Sequence, residues 1–142
     1  MQVVAPVVPG LPAERVAALR GLCEGAHVAL AVVFGSRARG DAIATSDLDL
    51  LVLPDPSEPL DLLGFDDAAQ QVAGSLRVDL TVLHSGINSA LAWEALRDAA
   101  VLWEGTPGTY DHEVAAWGAR FRADAPLRRA QAAQLARAFG CP

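Results

Sequence analysis

Two aspartates stand one residue apart at the start of a strongly apolar stretch. Asp47 and Asp49 belong to the run D-L-D-L-L-V-L, which otherwise has the composition of a buried strand. Because alternate residues of a strand point to the same face, both carboxylates face one way and repel each other where the dielectric constant is low. Nothing nearby in the sequence neutralises them, which predicts that the protein binds the missing counter-charge.

A third carboxylate lies inside another apolar run. Asp79 belongs to R-V-D-L-T-V-L, where an uncompensated charge would be costly. If the two runs form neighbouring strands, Asp47, Asp49 and Asp79 converge on one or two Mg²⁺ or Mn²⁺ ions, which prefer carboxylates together with substrate phosphates. The alternatives are an exposed strand end or a helix cap for the first two aspartates, and pairing with a surface arginine for Asp79.

The turn before these aspartates offers groups that suit a phosphate. Gly35 and Ser36 end an apolar run, so a hydroxyl and backbone N–H groups meet where glycine lets a ligand approach closely. Many Gly-Ser pairs are merely turns. Arg37 and Arg39 follow and are candidates for contact with a triphosphate or an acidic partner, although an arginine in a polar loop is more often simply solvated.

Regular elements must position these residues. The predicted strands are Val28 to Phe34, Asp47 to Leu53, Arg77 to Leu83 and a short edge strand from Val101 to Trp103. The predicted helices are Pro12 to Gly25, Leu60 to Gly74, a segment from Asn88 or Ser89 to about Ala99, and Asp111 to Phe139 with a break or second start at Pro126. This order predicts an α/β or α+β fold, with a small mixed sheet packed against helices.

Composition narrows the function. The chain has 142 residues, 52% of them hydrophobic, which is the usual size of one domain, so we expect residues 1–142 to form a single domain. Its net charge is −6, which argues against direct binding to DNA. All eleven cationic residues are arginines, which excludes chemistry that needs a lysine. Cys23 and Cys141 form no CxxC pair, and no apolar run is long enough to cross a membrane, so we expect a cytoplasmic protein.

Taken together, the motifs resemble those of a known superfamily. The pattern of Gly35-Ser36, ten residues, then D47-L-D49, followed by V78-D79-L80, is similar to the nucleotidyltransferases that include DNA polymerase beta. The fuller form G-S-R-A-R-G-D-A-I-A-T-S-D-L-D-L resembles the minimal nucleotidyltransferases, many of which are antitoxins paired with HEPN-type RNase toxins. The resemblance covers about residues 14–105 and leaves a helical extension, about 110–140, without a motif.

The resemblance implies a fold and a reaction. It implies the polymerase beta-like fold, with Ser36 and neighbouring amides holding the phosphates of ATP, and Asp47, Asp49 and Asp79 holding Mg²⁺ or Mn²⁺. AMP would pass from ATP to a hydroxyl, most plausibly of a tyrosine on a cognate HEPN toxin, with Asp79 accepting the proton. Two alternatives stay open: transfer to a small molecule such as an aminoglycoside, and an antitoxin that neutralises by binding alone.

Overall fold

The computed structural model describes residues 8–40, 42 and 46–140, which form a mixed four-stranded sheet and six helices. The strands are β1 (Val28–Phe34), β2 (Leu48–Pro54), β3 (Val78–Val82) and β4 (Ala100–Glu104). The helices are α1 (Ala13–Gly25), α2 (Ser36–Arg39), α3 (Leu62–Ala73), α4 (Ser89–Arg97), α5 (Thr109–Ala123) and α6 (Ala125–Ala138). The predicted α+β class is confirmed.

The strand order in the sheet is β3-β2-β1-β4. β1 lies at the centre and pairs antiparallel with both β2 and β4, while β2 and β3 run parallel. The parallel pair requires a crossover, and α3 supplies it. The strand order places β3 and β4 at the two edges of the sheet, so the predicted edge position of β4 is confirmed.

Alternate residues of β1 belong to two separate hydrophobic cores, one on each face of the sheet. Ala31 and Val33 of β1 pack with α1 and α3 on one side of the sheet. Leu30 and Val32 pack with α4 and with Trp117 of α5 on the other side. All four residues are at most 1% exposed, so β1 is covered on both faces, as its continuous apolar sequence predicts.

Local signals explain where several helices begin. The side chain of Asp61 accepts a hydrogen bond from Gly64 N and caps α3, and Asn88 caps α4 through Ala90 N and Leu91 N. Pro126 lies in the first turn of α6, where its missing N–H costs nothing, so the predicted second start is confirmed. The C-terminal segment is thus two helices, α5 and α6, joined at Asp124.

The remaining sequence features have simple places in the structure. Cys23 lies in α1 and is buried in the core, whereas Cys141 lies outside the described residues. Burial raises the pKa of the Cys23 thiol to about 12, so the thiolate is disfavoured. Among the described helices, none has the length and apolar character needed to cross a membrane.

Candidate active site

The pairing of β2 with β3 brings two of the predicted site residues together. Asp49 lies directly opposite Asp79 in the parallel register, and on its other side Asp49 is paired with Phe34, the last residue of β1. Asp47 immediately precedes β2, so that strand begins one residue later than predicted. Since residues two apart share a face, all three carboxylates lie at one end of the sheet, on the side that α4 and α5 cover.

The electrostatics of Asp49 reflect this crowding. Burial raises the pKa of its carboxyl, and the neighbouring carboxylates of Asp79 and then Asp47 raise it further. The Arg39 guanidinium acts in the opposite direction and lowers this pKa. This effect is the smallest of the four and leaves the pKa raised, so the arginine ten residues before Asp49 offsets the negative charge only in part.

The site has an excess of negative charge, but its carboxylates are not arranged as a ready-made metal-binding cluster. Within residues 8–40, 42 and 46–140, no three His, Cys, Asp or Glu side chains are grouped closely enough to hold a metal ion. Three like charges on one face repel one another unless a cation lies between them. The set fits Mg²⁺ or Mn²⁺ in ligand type and shared face, and a bound cation would relieve the repulsion that Asp79 and Asp47 add to the burial of Asp49.

Gly35 allows Asp49 to approach the turn after β1. Gly35 has φ 72° and ψ −149°, a conformation that favours glycine. A Cβ built on Gly35 would overlap the Asp49 carboxylate at Oδ2, so glycine is also required by space. Ser36 begins the short helix α2 directly afterwards and is partly buried. The structure thus places the predicted phosphate turn against the predicted metal ligands.

The two arginines of α2 have different surroundings. Arg37 is 4% exposed, and its guanidinium donates hydrogen bonds to Gly10 O at 3.2 Å and Ser46 O at 3.0 Å. It ties the segment before α1 to the residue that precedes Asp47, so the interpretation of Arg37 as a solvated loop residue is wrong. Arg39 is exposed, and its positive charge lowers the pKa of the Asp49 carboxyl. A contact of either arginine with nucleotide stays a prediction.

Gln70 of α3 is a positioning residue that sequence reasoning missed. Its amide nitrogen donates to Leu76 O at 2.6 Å, and its amide oxygen accepts from Val78 N at 3.0 Å. These two bonds fix the entry into β3 one residue before Asp79. A glutamine in a helix gives no sequence signal for this role, because its partners are backbone groups that only the fold brings near.

The three carboxylates differ in their exposure to solvent. Asp79 is exposed, and Asp47 and Asp49 are partly buried. Asp79 can therefore be reached from outside the chain.

Comparison with known proteins agrees with this geometry. The model of the family "Polymerase beta, Nucleotidyltransferase" matches residues 19–107, a span that contains all three carboxylates and the Gly35-Ser36 turn. The chain belongs to the polymerase beta nucleotidyltransferase family. The resemblance read from the motifs is thereby confirmed. The chain matches none of the curated proteins.

Several solved structures share the fold of this chain. A toxin–antitoxin with AMP-PNP is similar at TM-score 0.69 and 22% identity, over 84% of this chain and 97% of that one. A complex of tri-AMPylated Shewanella oneidensis HEPN toxin with MNT antitoxin gives TM-score 0.65 and 20% identity, over 86% and 96% of the two chains. A structure provisionally named as a minimal nucleotidyltransferase is 36% identical, with TM-score 0.52, over 61% of this chain and 87% of that one.

Proposed function

We propose that this nucleotidyltransferase transfers AMP from ATP to a hydroxyl group of a partner protein, a tyrosine of a HEPN-type toxin, and acts as the antitoxin of that pair. The observation that carries the proposal is the register of Asp49 opposite Asp79, with Asp47 on the same face and the Gly35-Ser36 turn against Asp49. The pairing of an MNT antitoxin with an AMPylated HEPN toxin in a protein of similar fold supports the choice of acceptor.

The residues divide the work in the proposed reaction. Asp47 and Asp49 would hold Mg²⁺ or Mn²⁺, which when bound stabilises negative charge on the phosphate oxygens. The Ser36 hydroxyl and neighbouring amides bind the β- and γ-phosphates of ATP. Arg39 lies close enough to act on Asp49 and can also contact the triphosphate.

Asp79 is the proposed general base. Its carboxylate accepts the proton of the acceptor hydroxyl while that oxygen forms a bond to the α-phosphorus of ATP. The bond from the α-phosphorus to the bridging oxygen breaks, and pyrophosphate leaves with its electron pair. Asp79 is suited to this role because it is the exposed member of the three and lies on the edge strand, where an acceptor can approach.

The exposure of Asp79 on the edge strand favours a protein acceptor over a small one. A small acceptor such as an aminoglycoside needs walls that enclose it, whereas the proposed base Asp79 is exposed. A protein acceptor brings its own surface, which can cover the site and exclude water. The same surface would also allow neutralisation by binding alone, so catalysis has to be tested separately from association.

The deciding experiment supplies labelled ATP, Mg²⁺ and the protein encoded by the neighbouring gene. We expect mass spectrometry to find one or more AMP groups on a single hydroxyl residue of that partner. The Asp79→Asn variant should bind the partner equally well and transfer no label. A complex that forms without labelling would favour the binding-only antitoxin, and efficient labelling of an aminoglycoside instead would overturn the protein-acceptor proposal.

A further inference from the structure

A concave surface lies between α1 and α3, on the side of the sheet away from the carboxylates. We call it the α1–α3 groove: a cavity of about 430 Å³ whose apolar walls are Leu22, Leu60 and Phe65. Gly21 and Gly25 lie one helical turn apart on α1 and form part of its lining, and a Cβ built on either would meet nothing within 4 Å. The groove is therefore open enough to admit a large apolar side chain.

The rim of this groove is acidic and is flanked by exposed leucines. Glu58 and Asp61 line the opening, and the Glu58 carboxylate lies 3.6 Å from His27 Nε2. Leu62 and Leu63, in the first turn of α3, are 43% and 79% exposed. An apolar cavity with carboxylates at its edge fits an apolar side chain that is accompanied by arginine.

Helix α6 has the complementary character. No residue of α6 is buried, and the helix contains three arginines and no acidic residue, although the whole chain has a net charge of −6. Leu127, Leu135 and the adjoining Phe139 are 59%, 59% and 80% exposed. These three side chains are half of the large hydrophobic residues that the described structure leaves exposed. Arg137 lies two residues before Phe139 and is also exposed.

We propose that the end of α6 docks into the α1–α3 groove of a second copy of this chain, with Phe139 in the cavity and Arg137 beside Glu58. The contact cannot form within one chain, because α6 packs on α5, and α5 lies on the opposite side of the sheet from α1 and α3. A twofold axis would make the contact twice, with each α6 in the other copy's groove.

A second copy is the occupant that the structure favours, because the chain itself carries both surfaces. The acidic rim and the basic helix complement each other in charge, and the exposed apolar residues of α6 match the empty apolar cavity in kind. The proposal is independent of the catalytic carboxylates, since neither surface includes them.

The first test is the mass of the protein in solution, measured by light scattering and by sedimentation over a range of concentrations without nucleotide. We expect a dimer, twice the 14.8 kDa of one chain. Phe139→Ser should weaken the dimer at least tenfold, because its side chain fills the cavity. The matched control is Leu91→Ser, which removes a 49% exposed leucine from α4, outside both surfaces, and should leave the dimer unchanged.

The second test exchanges the charges. Arg137→Glu and Glu58→Arg should each weaken the dimer at least tenfold, because each places like charges together. A mixture of the two single variants should form a heterodimer, since both of its contacts then pair opposite charges. Circular dichroism of each variant checks that the fold is kept.

Three results would overturn the proposal. One is a wild-type chain that stays monomeric at concentrations of about 1 mM, a range in which even a weak interface associates. Another is a dimer that Phe139→Ser and Arg137→Glu leave unchanged. The third is a monomeric chain whose binding to the toxin, rather than to itself, is weakened by these variants, which would assign the α6 surface to the partner. None of these results bears on whether AMP is transferred.

Discussion

Strand β2 and helix α6 use apolar residues in opposite ways. Leu48, Leu50, Leu51 and Val52 of β2 are at most 1% exposed, whereas Leu127 and Leu135 of α6 are each 59% exposed. The buried neighbours of Asp49 in β2 hold it in register between β1 and β3, so the candidate chemistry rests on a strand that is packed in the core. In α6 nothing is buried, and its side chains are available to other surfaces.

The largest expected effect is the loss of AMP transfer on substitution of Asp49, a residue of β2 that we assign to metal binding rather than to core packing. Asp49→Asn should lower AMP transfer at least about a thousandfold, or about 4 kcal/mol, because it removes a proposed metal ligand. The metal-free variant should melt at the same temperature or higher, since one of three like charges is gone. Asp67→Asn, at an exposed position of α3, is the control. A large loss of metal-free stability would show that Asp49 is structural.

The comparison of β2 with α6 can be tested directly by truncating one leucine in each. Leu50→Ala should cost about 2–5 kcal/mol of unfolding free energy, because it leaves a cavity in a core that cannot collapse fully. Leu135→Ala should change this free energy by no more than about 0.5 kcal/mol. Urea denaturation of dilute protein measures both. Similar costs at the two sites would mean that α6 is packed more tightly than the structure indicates.

A smaller effect on stability is expected from substituting Gly35, where the turn after β1 contacts Asp49 of β2. Gly35→Ala and Gly108→Ala both place alanine at positive φ, 72° and 92°, and Gly108→Ala should lose about 1 kcal/mol. Gly35→Ala should lose more from its backbone alone, because ψ −149° puts it in a region that essentially only glycine adopts. Only Gly35→Ala also pushes a Cβ into the Asp49 carboxylate, because Gly108 has open space. We expect a total of about 2–3 kcal/mol and impaired nucleotide use at Gly35. Equal losses, with activity kept, would argue against the contact between turn and carboxylate.

Nucleotide binding should depend on the cation. ATP should bind at least tenfold more weakly in a chelator than with Mg²⁺ or Mn²⁺, because the carboxylates would face the triphosphate unscreened. Titration calorimetry can measure both affinities. In Asp49→Asn the penalty in chelator should shrink, since less negative charge remains. The same affinity with and without metal in the wild type would remove the basis for a metal site.

The smallest effect concerns pH. The pKa of Asp49 is raised in the folded protein, so its contribution to stability is present below the ordinary carboxyl pKa and is lost as pH rises through the raised value. Melting temperatures of metal-free wild type and Asp49→Asn should converge near pH 3, and the wild type should lie lower at pH 7. Solvent screening keeps this difference below about 1 kcal/mol. A constant difference across this range would contradict the assignment.

Much of the fold could be predicted because its signals are local. The bounds of β1 match the prediction, since a continuous apolar run between two turn-forming segments has few alternatives as a strand. Pro126 marks the start of a helix for a similar reason. The least local features were missed: the burial of Arg37, and the two hydrogen bonds by which Gln70 fixes the start of β3.

The sequence by itself determined the family and the candidate carboxylates, because Gly35-Ser36, D-L-D and the third aspartate keep their types and spacing whatever surrounds them. Only the tertiary structure decided that Asp79 stands opposite Asp49, because the register of a parallel pair depends on how α3 packs. It also decided that Arg39 acts on Asp49. Contacts between residues far apart in the chain depend on the whole fold, and no local pattern of residues records them.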